Sequence, residues 1–269
     1  MTEILRIISS RRSVRTFDGR PLNGGDRDRL IRYAENADNP FGAKVRFVFL
    51  DAEKNGLCSS VITGEKEYVA GIVKKQPLAD AAFGYSFEKL VLYAASLGVG
   101  TTWMAGTLNR GRFEKVSCLT DDEMMPCVSP LGYPAEKMSL REMTMRRGVG
   151  ADRRLDAEKL FFDGVWGRPL AVPEGFAEAV QAVRLAPSAV NRQPWRVIKS
   201  GRAWHFYEKK GSGGFTSEKA GDLQKIDVGI ALCHFNAALE YLGIQTEISV
   251  SDPSFDVPSG VEYIATVSL

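Results

Sequence analysis

The chain has 269 residues, 44% of them hydrophobic and 25% charged, with 35 basic against 33 acidic side chains. That balance is ordinary for a folded globular protein; it offers no basic arm to hold nucleic acid and no apolar run long enough to span a membrane. Four scattered cysteines (Cys58, Cys118, Cys127, Cys233) without a CxxC pair, and no secretory leader, predict reduced thiols in a cytoplasmic protein. The two histidines, His205 and His234, are too few and too far apart for a His-based triad or a metal cluster, so no metal site is expected.

"EILRII" has the apolar spacing of a short amphipathic helix, and it runs into "RRSVR", with Arg11, Arg12 and Arg15 around Ser13. Cations suit a helix C-terminus, but guanidinium forks also match phosphate oxygens. "LIRYAENADNP" predicts a second helix leading to Asn39, followed by the strand-like "VRFVFLD". "FEKLVLYAASLGVGTTW" predicts an apolar helix stopped by Leu97-Gly98, a glycine C′ signal, then a strand. That strand reaches Met104, Ala105 and Gly106, where small residues let backbone approach a flat ligand. "SPLGYPAE" predicts a strand ending in a turn.

From Glu136 to Asp163 the chain is charged, basic and too long for a tight turn, which predicts a partly helical crossing arm. "FAEAVQAVRL" predicts a helix that must stop at Ala186, because Pro187 disfavours the helical region there. In "APSAVNRQPW", Ser188 and Asn191 then fall in a turn, with side chains free to bond a ligand or to cap their own backbone. "WRVIKS" and "RAWHFYEKK" predict strands, "GIALCHFNAALEYLGIQTEI" a second apolar helix stopped by Leu242-Gly243, and "VEYIATVSL" a last strand.

Two offsets recur: the asparagine turns differ by 191 − 39 = 152 positions and the Leu-Gly stops by 243 − 98 = 145. We read two copies of one α+β unit, residues 1–160 and 161–269, each with a mixed, mainly antiparallel sheet flanked by helices. The copies are unequal. "RRSVR" precedes only the first, and "APSAVNRQPW" occurs only in the second.

Together, "RRSVRTF", "LGVGTTWMAG", "LGYPAE" and "APSAVNRQPW" resemble the signatures of the FMN-dependent nitroreductase family. Most members carry the serine–asparagine motif before the other two, and two chains intertwine around two flavins. Here that motif comes last, so the chain resembles a fused branch in which one chain mimics the dimer, which implies a monomer. The resemblance implies an NAD(P)H oxidoreductase that reduces nitroaromatic, quinone or flavin-type small molecules by ping-pong hydride transfer. It implies that Arg11, Arg12 and Ser13 hold the phosphate and ribityl end of FMN, and that Arg15 lies near the pyrimidine edge as the electrostatic catalytic residue. Met104, Ala105 and Gly106 would approach the ring, and Pro187, Ser188 and Asn191 would close the site. Arg153 and Arg154 would reach the phosphate, with Arg146 and Arg147 as the rival pair. A second, pseudo-symmetric site should be empty, since Glu35 and Asn36 stand where Pro and Ser belong. Alternatives are another FMN reaction, such as reductive dehalogenation, or a flavin-binding sensor or storage module without turnover.

Overall fold

The computed structural model describes residues 3–211, 213 and 215–269. Helix α1 (Glu3–Ser10) buries Leu5, Ile7 and Ile8. Helix α2 (Gly24–Glu35) starts where the Asn23 side chain accepts a hydrogen bond from the Asp26 amide, satisfying a donor that the first turn leaves open. Strands β1 (Val45–Asp51) and β2 (Glu67–Lys74) pair antiparallel, Val45 opposite Val73 and Asp51 opposite Glu67. Helix α3 (Ala79–Ser96) follows, then α4 (Arg110–Val116), β3 (Glu123–Met124) and β4 (Val128–Leu131). Both short strands pair antiparallel with β2, so β2 is the centre of a four-stranded sheet.

The arm carries α5 (Leu140–Gly148) and a 3-10 turn (Ala157–Lys159), and ends in β5 (Phe161–Asp163). The second sheet is built from β6 (Trp195–Ser200) and β7 (Ala203–Lys209), which follow α6 (Ala177–Leu185). After them come β8 (Thr216–Ser217), β9 (Gly221–Asp222), α7 (Leu223–Tyr241), β10 (Glu247–Ser249) and β11 (Val261–Ser268). Its order is β10-β11-β7-β6-β5, with β8 and β9 forming a separate ribbon. Strand β5 is parallel to β6, Phe161 opposite Val197, and the other pairs are antiparallel. The expected mixed character therefore belongs to the second sheet, while the pairings of the first are all antiparallel.

Helices α3 and α7 pack side by side with their N-termini together, since Asp80 Oδ1 accepts from the Asp222 amide at 3.1 Å and Glu88 meets His234 eight residues further along α3. Two glycines make this packing possible. A Cβ on Gly84 would lie 2.1 Å from the Ile226 carbonyl oxygen, and one on Gly229 would lie 2.1 Å from that of Ala81. No side chain fits there. These glycines are 229 − 84 = 145 positions apart, the same offset as the helix-ending Gly98 and Gly243, both at φ +74. Nearly every turn of both helices is buried, which is why neither shows a polar stripe. Their side chains share one apolar cluster with residues of both sheets, among them Val69, Val73, Trp195, Trp204 and Phe206.

One expected strand is different. The segment after Gly98 is extended but is held by single bridges, Gly100 to Gly132 and Met104 to Val128, with Ser13 beside Thr101. The Val14 amide donates to Thr101 O, so the segment meets the arginine stretch and the Val128–Gly132 stretch at single positions and forms no continuous ladder with either. Among the described residues no helix is long and apolar enough to cross a membrane.

Candidate cofactor site

The arginine motif leaves α1 as a stretched chain. The Arg11 amide still donates to Ile7 O at 2.8 Å, and then the Val14 amide donates to Thr101 O at 2.9 Å and the Thr63 amide to Arg15 O at 3.0 Å. Backbone pairing on both sides fixes the direction of each arginine. A buried carboxylate completes the frame: Glu142, 1% exposed, accepts from Arg12 Nη1 at 2.8 Å, from the Arg15 amide at 3.2 Å and from Thr16 Oγ1 at 2.8 Å. Glu142 sits in the first turn of α5, whose cap is Ser139, so "SLRE" has the Ser-x-x-Glu form of a capping box. Its carboxylate instead reaches Arg12, which is therefore tied to the protein.

Arg11 is held differently. Its side chain is 6% exposed, its Nε lies 3.9 Å from Glu88 Oε1, and neither Nε nor Nη1 has a hydrogen-bond partner. Glu88, fully buried, spends its oxygens elsewhere, on His234 Nε2 at 2.9 Å and Trp103 Nε1 at 2.9 Å. Arg154 also keeps a buried Nε without a partner, while its Nη1 donates to the carbonyls of Ala151 and Arg153 at 2.8 Å each and to Asn191 Oδ1 at 3.4 Å. Burial pushes the guanidinium groups of Arg11, Arg15 and Arg154 below their usual range. The charge of Arg146 pushes all three the same way, and Arg11 acts likewise on Arg154. Leaving charged donors buried and unbonded is costly. A bound anion with several acceptor oxygens would remove that cost, and a phosphate dianion has the charge and the acceptors to do so.

The second half supplies the facing wall. Helix α6 stops at Ala186, whose ψ of 139° is extended, as the following proline dictates. Val190, Asn191 and Gln193 all have φ between 44° and 58°, a left-handed region unfavourable to β-branched valine above all. The turn holds this conformation through three sets of bonds. Ser188 Oγ accepts from the Gln193 amide at 2.9 Å, and the Asp227 carboxyl accepts from the Ala189 amide at 3.0 and 3.1 Å. Asn191 Nδ2 donates to Gly150 O at 2.7 Å and Arg153 O at 3.0 Å. Ser188 thus ties the turn to itself and Asn191 ties it to the arm, the capping use of these side chains that the sequence leaves open beside ligand binding.

Of the remaining sequence candidates, Met104 is buried and its backbone exchanges both hydrogen bonds with Val128 at 3.0 Å. The Ala105 carbonyl accepts from Arg110 Nη2 at 2.8 Å, and a Cβ on Gly106 would meet nothing within 4 Å. The arm contributes one arginine from each rival pair to the buried cluster: Arg146 and Arg154. Arg153 enters through its carbonyl, while its side chain, like that of Arg147, is exposed. Residues missed by sequence reasoning are Glu142, Glu88 and Asp227. The capping-box spacing could have found the first. Glu88 and Asp227 are lone carboxylates in apolar helices, a signal that the helical pattern alone leaves open.

The fold finds its match in known proteins. Residues 3–239 match the family described as "Putative TM nitroreductase". The chain belongs to that nitroreductase family. A structure from Thermotoga maritima, described as a "putative nitroreductase", superposes over 100% of this chain and 94% of its own, with a TM-score of 0.63 and 20% identity, and it shows the fold. A nitroreductase with bound FMN from Bacteroides fragilis covers 52% of this chain and 92% of its own, with a TM-score of 0.43 and 18% identity. An FMN-dependent nitroreductase from Clostridium difficile covers 49% and 88%, with a TM-score of 0.43 and 14% identity. No curated protein matches.

Proposed function

We propose that the chain is an FMN-dependent NAD(P)H oxidoreductase acting on nitroaromatic, quinone or flavin-type acceptors, with one flavin site built from both of its halves. The observation that carries this reading is the set of buried guanidinium nitrogens without partners, Arg11 Nε and Nη1 and Arg154 Nε, beside Arg146. They fit the FMN phosphate. Arg12 and the backbone of Ser13 keep the arginine segment in place, and the Met104–Gly106 backbone offers an open approach at Gly106 for the flat ring. Pro187, Ser188 and Asn191 form the opposite wall, fixed by Asp227. Bound there, FMN would supply the hydride-accepting and hydride-donating chemistry that no side chain can.

Arg15 is the residue assigned to the electronics of the reaction. Among the described residues its guanidinium makes no hydrogen bond or ion pair, while Glu142, which bonds its amide, partly offsets its charge. A preorganised cation of this kind stabilises negative charge that develops on a neighbouring ring. The shared 145-residue offset of the packing glycines and helix stops supports a fused pair of halves, and a monomer follows because the packing between halves is internal. The test is direct: reconstitute with FMN, add NADH or NADPH with a nitroaromatic or quinone, and follow nicotinamide absorbance. Sustained oxidation with ping-pong kinetics is expected. Flavin that stays bound while neither nicotinamide is oxidised would favour a storage or sensor module.

A further inference from the structure

The proposed flavin site uses Arg11, Arg146 and Arg154 and leaves two arginines of the arm without a task. We propose that Arg147 and Arg153 form a second anion site that takes the 2′-phosphate of NADPH, which makes this chain prefer NADPH to NADH. This inference rests on the oxidoreductase reading above.

The arm carries an open cavity of about 460 Å³, lined by Met138, Met143, Arg146, Arg147, Asp152 and Arg153 together with Gly150 and Ala151. Neither Arg11 nor Arg154, which hold the unpartnered buried nitrogens, belongs to its wall. Arg146 stands between the two places, lining this cavity while its charge acts on Arg11, Arg15 and Arg154. The cavity thus adjoins the flavin site without being part of it.

Its charge is unbalanced. From Lys137 to Arg154 the sequence holds six cations, Lys137, Arg141, Arg146, Arg147, Arg153 and Arg154, against two acids, Glu142 and Asp152. Both acids are already engaged, Glu142 with Arg12 at 2.8 Å and Asp152 with Arg146 at 2.6 Å. Arg141 donates to the Ser60 carbonyl. Arg147 and Arg153 have no side-chain hydrogen bond or ion pair among the described residues, and both are exposed at the cavity. The Arg153 stem rests on Gly150, its Cδ 3.2 Å from where a Cβ would be, which turns that side chain along the wall.

The lining fits a particular ligand fragment. Guanidinium forks recognise a phosphate monoester bidentately and also stack on a purine face. Met138 and Met143 add soft, adaptable apolar surface of the kind that accepts a flat ring. Adenosine carrying a 2′-phosphate combines these features; the adenosine of NADH lacks the anion. Because Arg146 lines this cavity and its charge acts on the arginines assigned to the flavin phosphate, we seat the adenosine end of the nicotinamide nucleotide on the arm.

The experiment uses the FMN-loaded protein and the double variant Arg147→Gln with Arg153→Gln, both at exposed positions. Wild type should show kcat/KM for NADPH at least about tenfold above that for NADH. The double variant should lower that ratio by roughly tenfold to a hundredfold, the loss expected for charged hydrogen bonds. Calorimetry should show 2′,5′-ADP binding more tightly than 5′-AMP to wild type, with the difference lost in the variant and weakened by salt. Equal use of the two nicotinamides by wild type overturns the proposal, as does an unchanged ratio in the variant. A fall in FMN affinity in its place would assign the cavity to the flavin phosphate and overturn it too. If neither nicotinamide is oxidised, the oxidoreductase reading fails, and the calorimetry alone decides: discrimination between the two nucleotides that depends on the arginines supports the anion site, and none overturns it.

Discussion

Two asparagines, Asn39 and Asn191, each lie in a turn between a helix and a strand, yet they do different work. Asn39 Nδ2 donates to Ala43 O at 2.7 Å and Ser86 Oγ at 3.0 Å, and its Oδ1 accepts from the Phe41 amide, so it only stitches its own turn to α3. Asn191 sits in the left-handed region at φ 58 and reaches out to Gly150, Arg153 and Arg154 of the arm. The carboxyl that fixes the second turn is Asp227. Counting back 145 positions gives Ala82, which has nothing to offer. One turn is therefore closed on itself and on α3, and the other is tied to the arm. What separates them is the company each keeps: among the described residues Asn191 bonds to Arg153 and Arg154, and Asn39 bonds to Phe41, Ala43 and Ser86.

The largest effect should come from breaking the packing that holds the two halves together. Gly84→Leu drives a side chain into the Ile226 carbonyl, and there is no open direction between two parallel buried helices. We expect loss of folding, more than about 3 kcal/mol, seen as loss of a cooperative urea transition. Gly229→Leu should do the same from the other side. A variant that folds with wild-type stability would show that the helices do not pack as described.

The next test asks whether only one turn faces an anion site. Arg11→Ala should weaken FMN binding roughly tenfold to a hundredfold, and weaken riboflavin, which has no phosphate, far less. Equal losses for the two would remove Arg11 from the phosphate. With flavin saturated, Arg15→Ala should in addition slow nicotinamide oxidation about tenfold while Arg15→Lys retains part of the rate, since the charge matters most in the transition state. Stopped-flow absorbance separates this from weaker binding.

The two sheets offer a third comparison. The residue opposite the first position of the hairpin is Val73 in the first sheet but Glu208 in the second. Glu208 is fully buried, and neither carboxylate oxygen has a partner. Burial pushes it up to about 7, and Asp222 and Glu262 add to the shift while Lys210 and Lys225 oppose it. The folded chain holds that proton more tightly than the unfolded one, where a glutamate titrates near 4.5. Stability should therefore fall as pH rises from about 4.5 to about 7 and change no further from this group. Glu208→Gln removes the penalty, raising stability above pH 7 by at most about 3 kcal/mol and having little effect near pH 4.5. Urea titrations at the two pH values check it; equal gains at both would mean that the proton is not the cause.

The smallest effect concerns the helix stops. Gly98 and Gly243 share φ +74 with open space where a Cβ would go. Alanine at either should cost about 1 kcal/mol through backbone strain alone, and by the same amount at both. A clear inequality in thermal midpoint would break the equivalence of the two stops.

Much of this was legible in the chain itself. The helix ends are punctuated by Leu-Gly and by Pro187, and these signals act locally, so α3, α6 and α7 stop where they predict. The arginine and serine–asparagine motifs were visible for the same reason. The segment from Gly98 to Gly106 was less so, because its partners are split between the distant Arg11–Thr16 chain and single positions at Val128 and Gly132. The settings of Arg11 and Arg12 could not be read from their spacing. One is clamped by Glu142, 130 positions away, and the other is left with open donors by Glu88 turning to His234. Those are long-range contacts, fixed by the packing of α3 on α7 and by the path of the arm.

The proposed flavin site occurs once per chain. The ratio of FMN to chain after saturation and removal of free flavin, read by absorbance once the protein is denatured, tests it most directly. About one FMN per chain is expected, because among the described residues Asn39 bonds to no arginine while Asn191 bonds to Arg153 and Arg154. A reproducible ratio near two, or no retained flavin at all, would contradict it.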